Sequence, residues 1–303
     1  MANSVIKNYS DDIRTEIYRV TNELLEHLHL YYQPFPEFDA VRFPATALTT
    51  ATEGFFLPMM LLKKMVVIPV WIFTIDDVID RKLLSDEELD ARLKSYEWII
   101  TQGLDASDVY GRVLKDLYDQ LKERPLFHAL REVWEEAYFR MIRGMLLEAR
   151  ETVRVPSYDE YLEHGSYSIG VPLYVVSTWI LGSYEETLTH LEVLKKLMML
   201  SAKSIRLAND MRTYEKEKME KNLNALVIME NTYESEGYAP DAAKALASAF
   251  VREELERYRT QFLELVDESV LPIRTLSNVT QFSLSFYDEH DFHTVDAGEI
   301  HHV

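Results

Sequence analysis

Two clusters of oxygen-bearing side chains could do chemistry in this sequence. The first is Ile75-Asp-Asp-Val-Ile-Asp80, at the end of an apolar run. Asp76 and Asp80 are four residues apart, so on a helix both carboxylates project from one face, with Asp77 beside them. Three carboxylates this close repel one another, and the C-terminal end of a helix disfavours negative charge. Carboxylate oxygens in such a patch suit a hard divalent cation such as Mg²⁺. A solvated acidic helix end is the competing reading. The second cluster is Asn209-Asp-Met-Arg-Thr-Tyr-Glu-Lys-Glu217. Asn209, Thr213 and Glu217 recur at i, i+4 and i+8 and line one helix face. They offer an amide oxygen, a hydroxyl and a carboxylate, all hard donors. Lys216, next to them, could meet an anion. An ordinary polar helix face is again the alternative.

The elements that must carry these clusters read as helices. The 303 residues include only nine glycines and ten prolines, with no Asn-Gly, Asp-Gly or Gly-Gly. A sheet fold would need more turn punctuation. Ile13, Ile17, Val20, Leu24 and Leu28 recur at steps of three and four, as an amphipathic helix requires. Ser85-Asp-Glu-Glu88 is a capping box. Pro156-Ser157 and Pro240-Asp241 mark two further helix starts. The spacing predicts helices over 9–30, 46–63, 65–83, 86–101, 108–122, 126–150, 157–181, 184–220, 222–235, 241–268 and 273–287. No linker or repeat divides the chain, so one all-α domain over 1–303 is expected, with about the first 10 and last 12 residues flexible.

Composition narrows the function. There are 32 basic and 51 acidic residues, a net charge of −19. That argues against a protein that tracks nucleic-acid phosphates with a basic face, but not against anion binding through metal ions. Without cysteine, disulfides, thiolate metal sites and thiol nucleophiles are excluded. The apolar run from Met65 to Ile75 is much shorter than the roughly 20 residues a membrane span needs. The N-terminal residues show no basic stretch followed by an apolar core, so the cytosol is the expected location.

The ordered pair, Asp-Asp-x-x-Asp and then Asn-Asp-x-x-Thr-x-x-x-Glu in an all-α chain, closely resembles the class I terpene synthases, or terpene cyclases. The resemblance covers roughly residues 40 to 290. It implies a helical bundle around a central apolar cavity. It also implies three Mg²⁺ ions that hold the diphosphate of a prenyl substrate. On this resemblance Asp76 is the main metal ligand of the first motif, Asp80 an auxiliary one, and Asp77 orients its neighbours. Asn209, Thr213 and Glu217 are the ligands of the third ion, and Lys216 matches a diphosphate contact. Asp210 belongs to the motif without being a ligand. Aromatic faces stabilise a passing carbocation. Phe73, one turn before Asp76, leads the candidates, followed by Phe55, Phe56, Trp71, Tyr174, Trp179 and Phe282. Each is also read as ordinary core. Gly170 matches a glycine that breaks a helix beside the cavity. Homodimers are common in the family, and nothing in the sequence specifies one.

Two positions depart from the family pattern. In Tyr161-Leu-Glu-His-Gly-Ser-Tyr-Ser-Ile-Gly170, Gly165 stands where the family has a diphosphate-sensing arginine, with His164 beside it. In Phe282-Ser-Leu-Ser-Phe-Tyr287, Tyr287 matches a diphosphate-capping pair but Phe286 replaces its arginine. Lys216, Arg206 and Arg212 remain as cations. The departures favour a C20 or bicyclic C20 diphosphate slightly over C15 farnesyl diphosphate. Three other readings stay open. A prenyl diphosphate synthase would normally carry two Asp-rich motifs. A helical scaffold or isoprenoid binder would have no need of both ligand sets. A ferritin-like di-metal protein needs Glu-x-x-His pairs, and the sequence offers only Glu299/His302.

Overall fold

The computed structural model describes residues 5–36, 38–80, 84–150 and 155–290. Glu299 and His302, and positions 81–83 of the expected 65–83 helix, lie outside them. Among the described residues every regular element is helical and none is a strand. The all-α expectation therefore holds. The chain contacts group into two compact units. One comprises residues 1–136, 174–189 and 292–303; the other comprises residues 137–173 and 190–291.

The first unit begins with the Asp11–Tyr31 helix. Its apolar stripe is inward: Ile17, Leu24 and Leu28 are fully buried and Val20 nearly so. The helix packs on Phe43–Gly54 and Met59–Met65, and Val67–Asp80 packs on Val109–Lys122. A single 46–63 helix is not what forms. Pro58 has no N–H to continue a helix and takes an extended ψ of 133°, so the helix stops at Gly54 and restarts at Met59. Ser85 makes the expected capping box with Glu88 at the start of Asp86–Gln102. One cavity of this unit, about 490 Å³, is lined by His27, Tyr32, Met60, Lys63, Lys64 and Asp116 among others.

Every residue of Phe43–Gly54 is buried, including Thr46, Thr49 and Glu53. Its threonines tolerate this because Thr46 and Thr49 donate to the carbonyls of Arg42 and Ala45 at 2.7 and 2.8 Å. Glu53 accepts a hydrogen bond from the Tyr174 hydroxyl.

In the second unit the long Leu191–Glu220 helix is the axis. It packs against Tyr158–Ser168, Ala225–Ser235, Pro240–Leu265 and Leu271–Glu289. Two expected helices are each divided. The 157–181 segment breaks after Ser168, because Gly170 takes a left-handed φ of 79°. This is the break that the resemblance implied. The 184–220 segment divides into Glu186–Thr189 and Leu191–Glu220 at His190. Ser157 forms a second capping box with Glu160. No helix among the described residues is long and apolar enough to cross a membrane.

Glu53 gives the first prediction. Burial raises its pKa from 4.5 to about 8, with the Tyr174 hydrogen bond pulling the other way. The folded chain therefore binds a proton that the unfolded chain releases. Stability should fall as pH rises from about 4.5 to about 8, by up to about 1.4 kcal/mol per pH unit, and then level off. Glu53→Gln keeps an acceptor for Tyr174 without a titrating proton. Its melting temperature should decline less than wild type between pH 5 and 8. Equal slopes in thermal melts would refute the assignment.

Candidate metal and diphosphate site

The Val67–Asp80 helix carries the first cluster at its end. Asp76 and Asp77 are half-buried and Asp80 is exposed. Asp77 is paired with Arg42, a residue that the sequence reading missed. Arg42 is 4% exposed and grips Asp77 with one edge of its guanidinium: Nη2 donates to Oδ1 at 2.6 Å and Nε to Oδ2 at 3.2 Å. The 3₁₀ turn Ala40–Arg42 delivers it, with Asp39 accepting from the Val41 N–H. The same guanidinium lies 4.8 Å over the Phe73 ring, one turn earlier on that face. One buried cation thus occupies both Asp77 and Phe73. It also offsets the unfavourable placing of carboxylates at a helix C-terminus.

The Leu191–Glu220 helix carries the second cluster. Asn209 and Glu217 are half-buried and Thr213 is buried. The Thr213 hydroxyl donates to the Asn209 carbonyl at 2.9 Å, which leaves its oxygen lone pairs directed outward from that bond. Glu217 Oε2 accepts from Asn224 Nδ2 at 2.8 Å. Burial raises the proton affinity of Glu217, while the Arg206 charge and the hydrogen bond from Asn224 oppose the rise. Lys216 is exposed beside it.

Behind this face lies a buried ion network. Asp210 has no exposed surface and Arg206 is 5% exposed. Arg206 Nε is 2.9 Å from Asp210 Oδ1, and Nη1 is 3.0 Å from Glu148 Oε2. The Tyr161 hydroxyl accepts from Arg206 and donates to Asp210 at 2.8 Å. The Ala225 N–H also donates to Asp210, at 3.0 Å. Burial opposes the charge on Arg206, but Asp210 and Glu148 more than compensate and hold its pKa well above the ordinary value. All three guanidinium nitrogens point at protein partners. A Cβ on Gly165 would lie 3.3 Å from Arg206 Cγ and Nε. The glycine at the departing position thus leaves room for the Arg206 stem. His164 is half-buried and lines a cavity of about 190 Å³ with Glu148, Glu160 and Tyr161.

The remaining candidates fall in varied surroundings. Trp71 is fully buried, and its indole N–H donates to the Tyr110 carbonyl at 3.0 Å. Trp179 is also fully buried, and its indole N–H has no partner among the described residues. Phe55 and Phe56 meet edge to face at 5.2 Å, and Phe56 is 36% exposed. Tyr174 is engaged by Glu53. Phe282 stacks on the fully buried Phe286 at 5.8 Å, and Tyr287 meets Phe286 edge-on at 6.0 Å. Phe286, the second departure, is therefore a core residue linking two site candidates. Arg212 is exposed and donates to the Glu289 carbonyl at 2.7 Å.

The donor chemistry fits a hard divalent cation: carboxylates at 76 and 80, and an amide, a hydroxyl and a carboxylate at 209, 213 and 217. Among the described residues no group of three or more His, Asp or Glu side chains forms a ready metal cage.

Comparison with known proteins agrees with this chemistry. The model of terpene synthase family 2, C-terminal metal binding, matches residues 68–257, and the chain belongs to that family. It is 30% identical over 213 residues to nezukol synthase of Isodon rubescens, an alignment covering 64% of this chain and 25% of that protein. It is 24% identical over 230 residues to ent-pimara-9(11),15-diene synthase of Streptomyces sp. strain KO-3988, covering 72% of each. The chain spans 7% of the bifunctional cis-abienol synthase of Abies balsamea, and so matches only a part of such plant relatives. Its fold is that of linalool/nerolidol synthase from Streptomyces clavuligerus, solved with 2-fluorogeranyl diphosphate. The TM-score is 0.66 at 16% identity, over 90% of this chain and 97% of that one. It is also that of 2-methylisoborneol synthase from Streptomyces coelicolor A3(2), solved with Mg²⁺ and geranyl-S-thiolodiphosphate. There the TM-score is 0.65 at 17% identity, over 94% and 92% of the chains. The all-α terpene synthase fold is thus established, in a family defined by metal binding.

Arg42 gives the prediction of this site. Removing one partner of a buried ion pair strands the other, at a cost of about 3 kcal/mol. Arg42→Ala should lower stability by that order in urea unfolding. Arg42→Ala with Asp77→Ala should recover much of the loss. An additive double mutant would show that the pair does not hold this helix end.

Proposed function

We propose that the chain is a class I terpene cyclase. It would ionise a prenyl diphosphate with Mg²⁺, three ions in all, and cyclise the resulting cation. The observation that carries this reading is the state of the two ligand sets. Asp77 is paired with Arg42, whereas Glu217 Oε2 accepts a hydrogen bond from the neutral amide of Asn224, with the Arg206 charge acting on it without a direct bond. A carboxylate oriented without a directly bonded cation keeps its charge for a metal.

Asp76 and Asp80 would hold ions on one helix, and Asn209, Thr213 and Glu217 would hold a third. When bound, Mg²⁺ offsets the charge of the diphosphate and makes it a better leaving group. Lys216 would meet a diphosphate oxygen from the exposed side, with Tyr287 as a second contact. Arg206, spent on Asp210, Glu148 and Tyr161, would contribute through the field of its charge. The C–O bond breaks with its electron pair leaving on diphosphate, and the allylic cation closes on its own alkenes. A proton lost to a base, or a water added, then ends the reaction as a hydrocarbon or an alcohol. Phe73, Phe55, Phe56, Trp71, Tyr174, Trp179 and Phe282 would supply apolar and aromatic walls that exclude water. Gly170 would expose backbone to the substrate. The whole chain would act as one catalytic domain.

For substrate length we favour C20, linear or bicyclic. Relatives named for making ent-pimaradiene and ent-kaurene, both C20 hydrocarbons, support it. The test is a product assay with Mg²⁺ and geranyl, farnesyl, geranylgeranyl or copalyl diphosphate, with organic extracts run on GC-MS. A cyclic product that disappears with EDTA is expected from one of the C20 substrates. A product from farnesyl diphosphate alone would overturn the length, and none from any of the four would overturn the cyclase. Asp76→Ala, Asn209→Ala and Glu217→Ala should each cut turnover at least about a hundredfold, with helical circular dichroism unchanged. Full activity in any of them would remove that residue from the ligand set.

A further inference from the structure

Asn224 is fully buried in the short turn that follows the Leu191–Glu220 helix. The turn closes tightly. Lys221 takes a left-handed φ of 61°, and the Asn222 N–H donates to the Glu217 carbonyl at 2.9 Å. The chain then runs back along the helix it has just left. Asn224 Nδ2 donates to the Asp210 carbonyl and to Glu217 Oε2, both at 2.8 Å, and Oδ1 accepts from the Leu226 N–H at 2.8 Å. Both amide hydrogens and one oxygen lone pair are therefore used. One side chain caps the Ala225–Ser235 helix, ties the turn to the level of Asp210, and grips the Glu217 carboxylate.

Its own position is fixed from two sides. The Asp210 carboxylate accepts from the Ala225 N–H, and the Asp210 carbonyl accepts from Asn224. Asp210 is in turn held by Arg206 and Tyr161. The amide at 224 thus reaches Glu217 from a frame that cannot slide. Asn is also the residue type such a role needs. A lysine or arginine here would hold the carboxylate but cancel the charge a metal requires. A carboxamide fixes the orientation and leaves the charge in place.

We infer that Asn224 is a positioning residue of the second ligand set, fixing the Glu217 carboxylate for metal binding. The inference rests on the reading of Glu217 as a ligand. Asn224 does not itself touch metal or substrate.

The test separates positioning from capping. Aspartate and serine both cap helices well, so Asn224→Asp and Asn224→Ser keep that role. Both lose the amide N–H donors, and aspartate also sets a like charge against Glu217 and a second acceptor against the Asp210 carbonyl. Mn²⁺ binding would be followed by EPR, with and without inorganic pyrophosphate, in the full chain. Losing a residue that orients a metal ligand costs affinity about 10- to 100-fold. Both variants should weaken Mn²⁺ binding in that range, Asp more than Ser, with matching helical circular dichroism. In a Glu217→Gln background, Asn224→Ser should weaken binding no further. Additive losses in that cycle, native Mn²⁺ affinity in Asn224→Asp, or loss of helix in both variants would overturn the positioning role. Unchanged Mn²⁺ binding in Glu217→Gln itself would instead remove the ligand reading beneath it.

Discussion

The second unit is organised by the buried pair Arg206–Asp210. A charge with no solvent is costly, and it persists only when other groups answer it. Here Glu148 and Tyr161 complete the shell of Arg206, while Tyr161 and the Ala225 N–H complete that of Asp210. These three partners come from three separate stretches of chain, so satisfying one ion pair ties three elements to the helix that carries it. Asp210 sits one residue after Asn209 and so faces into the helix packing while its neighbour faces out. The same helical period that buries the pair sets Asn209, Thr213 and Glu217 along one face.

The first unit solves a like problem differently. Its acidic cluster lies at a helix C-terminus, where three carboxylates gain nothing from the helix dipole. Arg42 relieves this by pairing with Asp77. Deeper in, Glu53 avoids the cost of a buried charge by holding its proton and bonding to Tyr174. The two acids follow the same rule: a buried carboxyl either keeps a cation or stays neutral.

The two departures from the family pattern have physical counterparts. Gly165 has no side chain because the stem of Arg206 lies against it. An arginine at 165 would compete for the space that the ion network fills. Phe286 is buried between Phe282, Tyr287 and His290, where an unpaired guanidinium would be costly. At each of these two positions packing stands in place of a cation.

Legible in the sequence alone are the helical class, the inward stripe of Asp11–Tyr31, the Ser85 capping box and the spacing of the two polar clusters at 76–80 and 209–217. All of these rest on spacing within a few residues, and helical periodicity is written locally. Asn224 lay partly within reach, since an asparagine ahead of Ala-Leu-Val-Ile-Met reads as an N-cap. Its hold on Glu217 does not, because that depends on how the turn at Lys221 sends the chain back. Arg42 for Asp77, Tyr174 for Glu53, and Glu148 and Tyr161 for Arg206 were decided only by tertiary structure. These partners lie 35, 121, 58 and 45 residues apart in sequence. Motif spacing shows which side chains share a face, but burial decides which charges must find a partner.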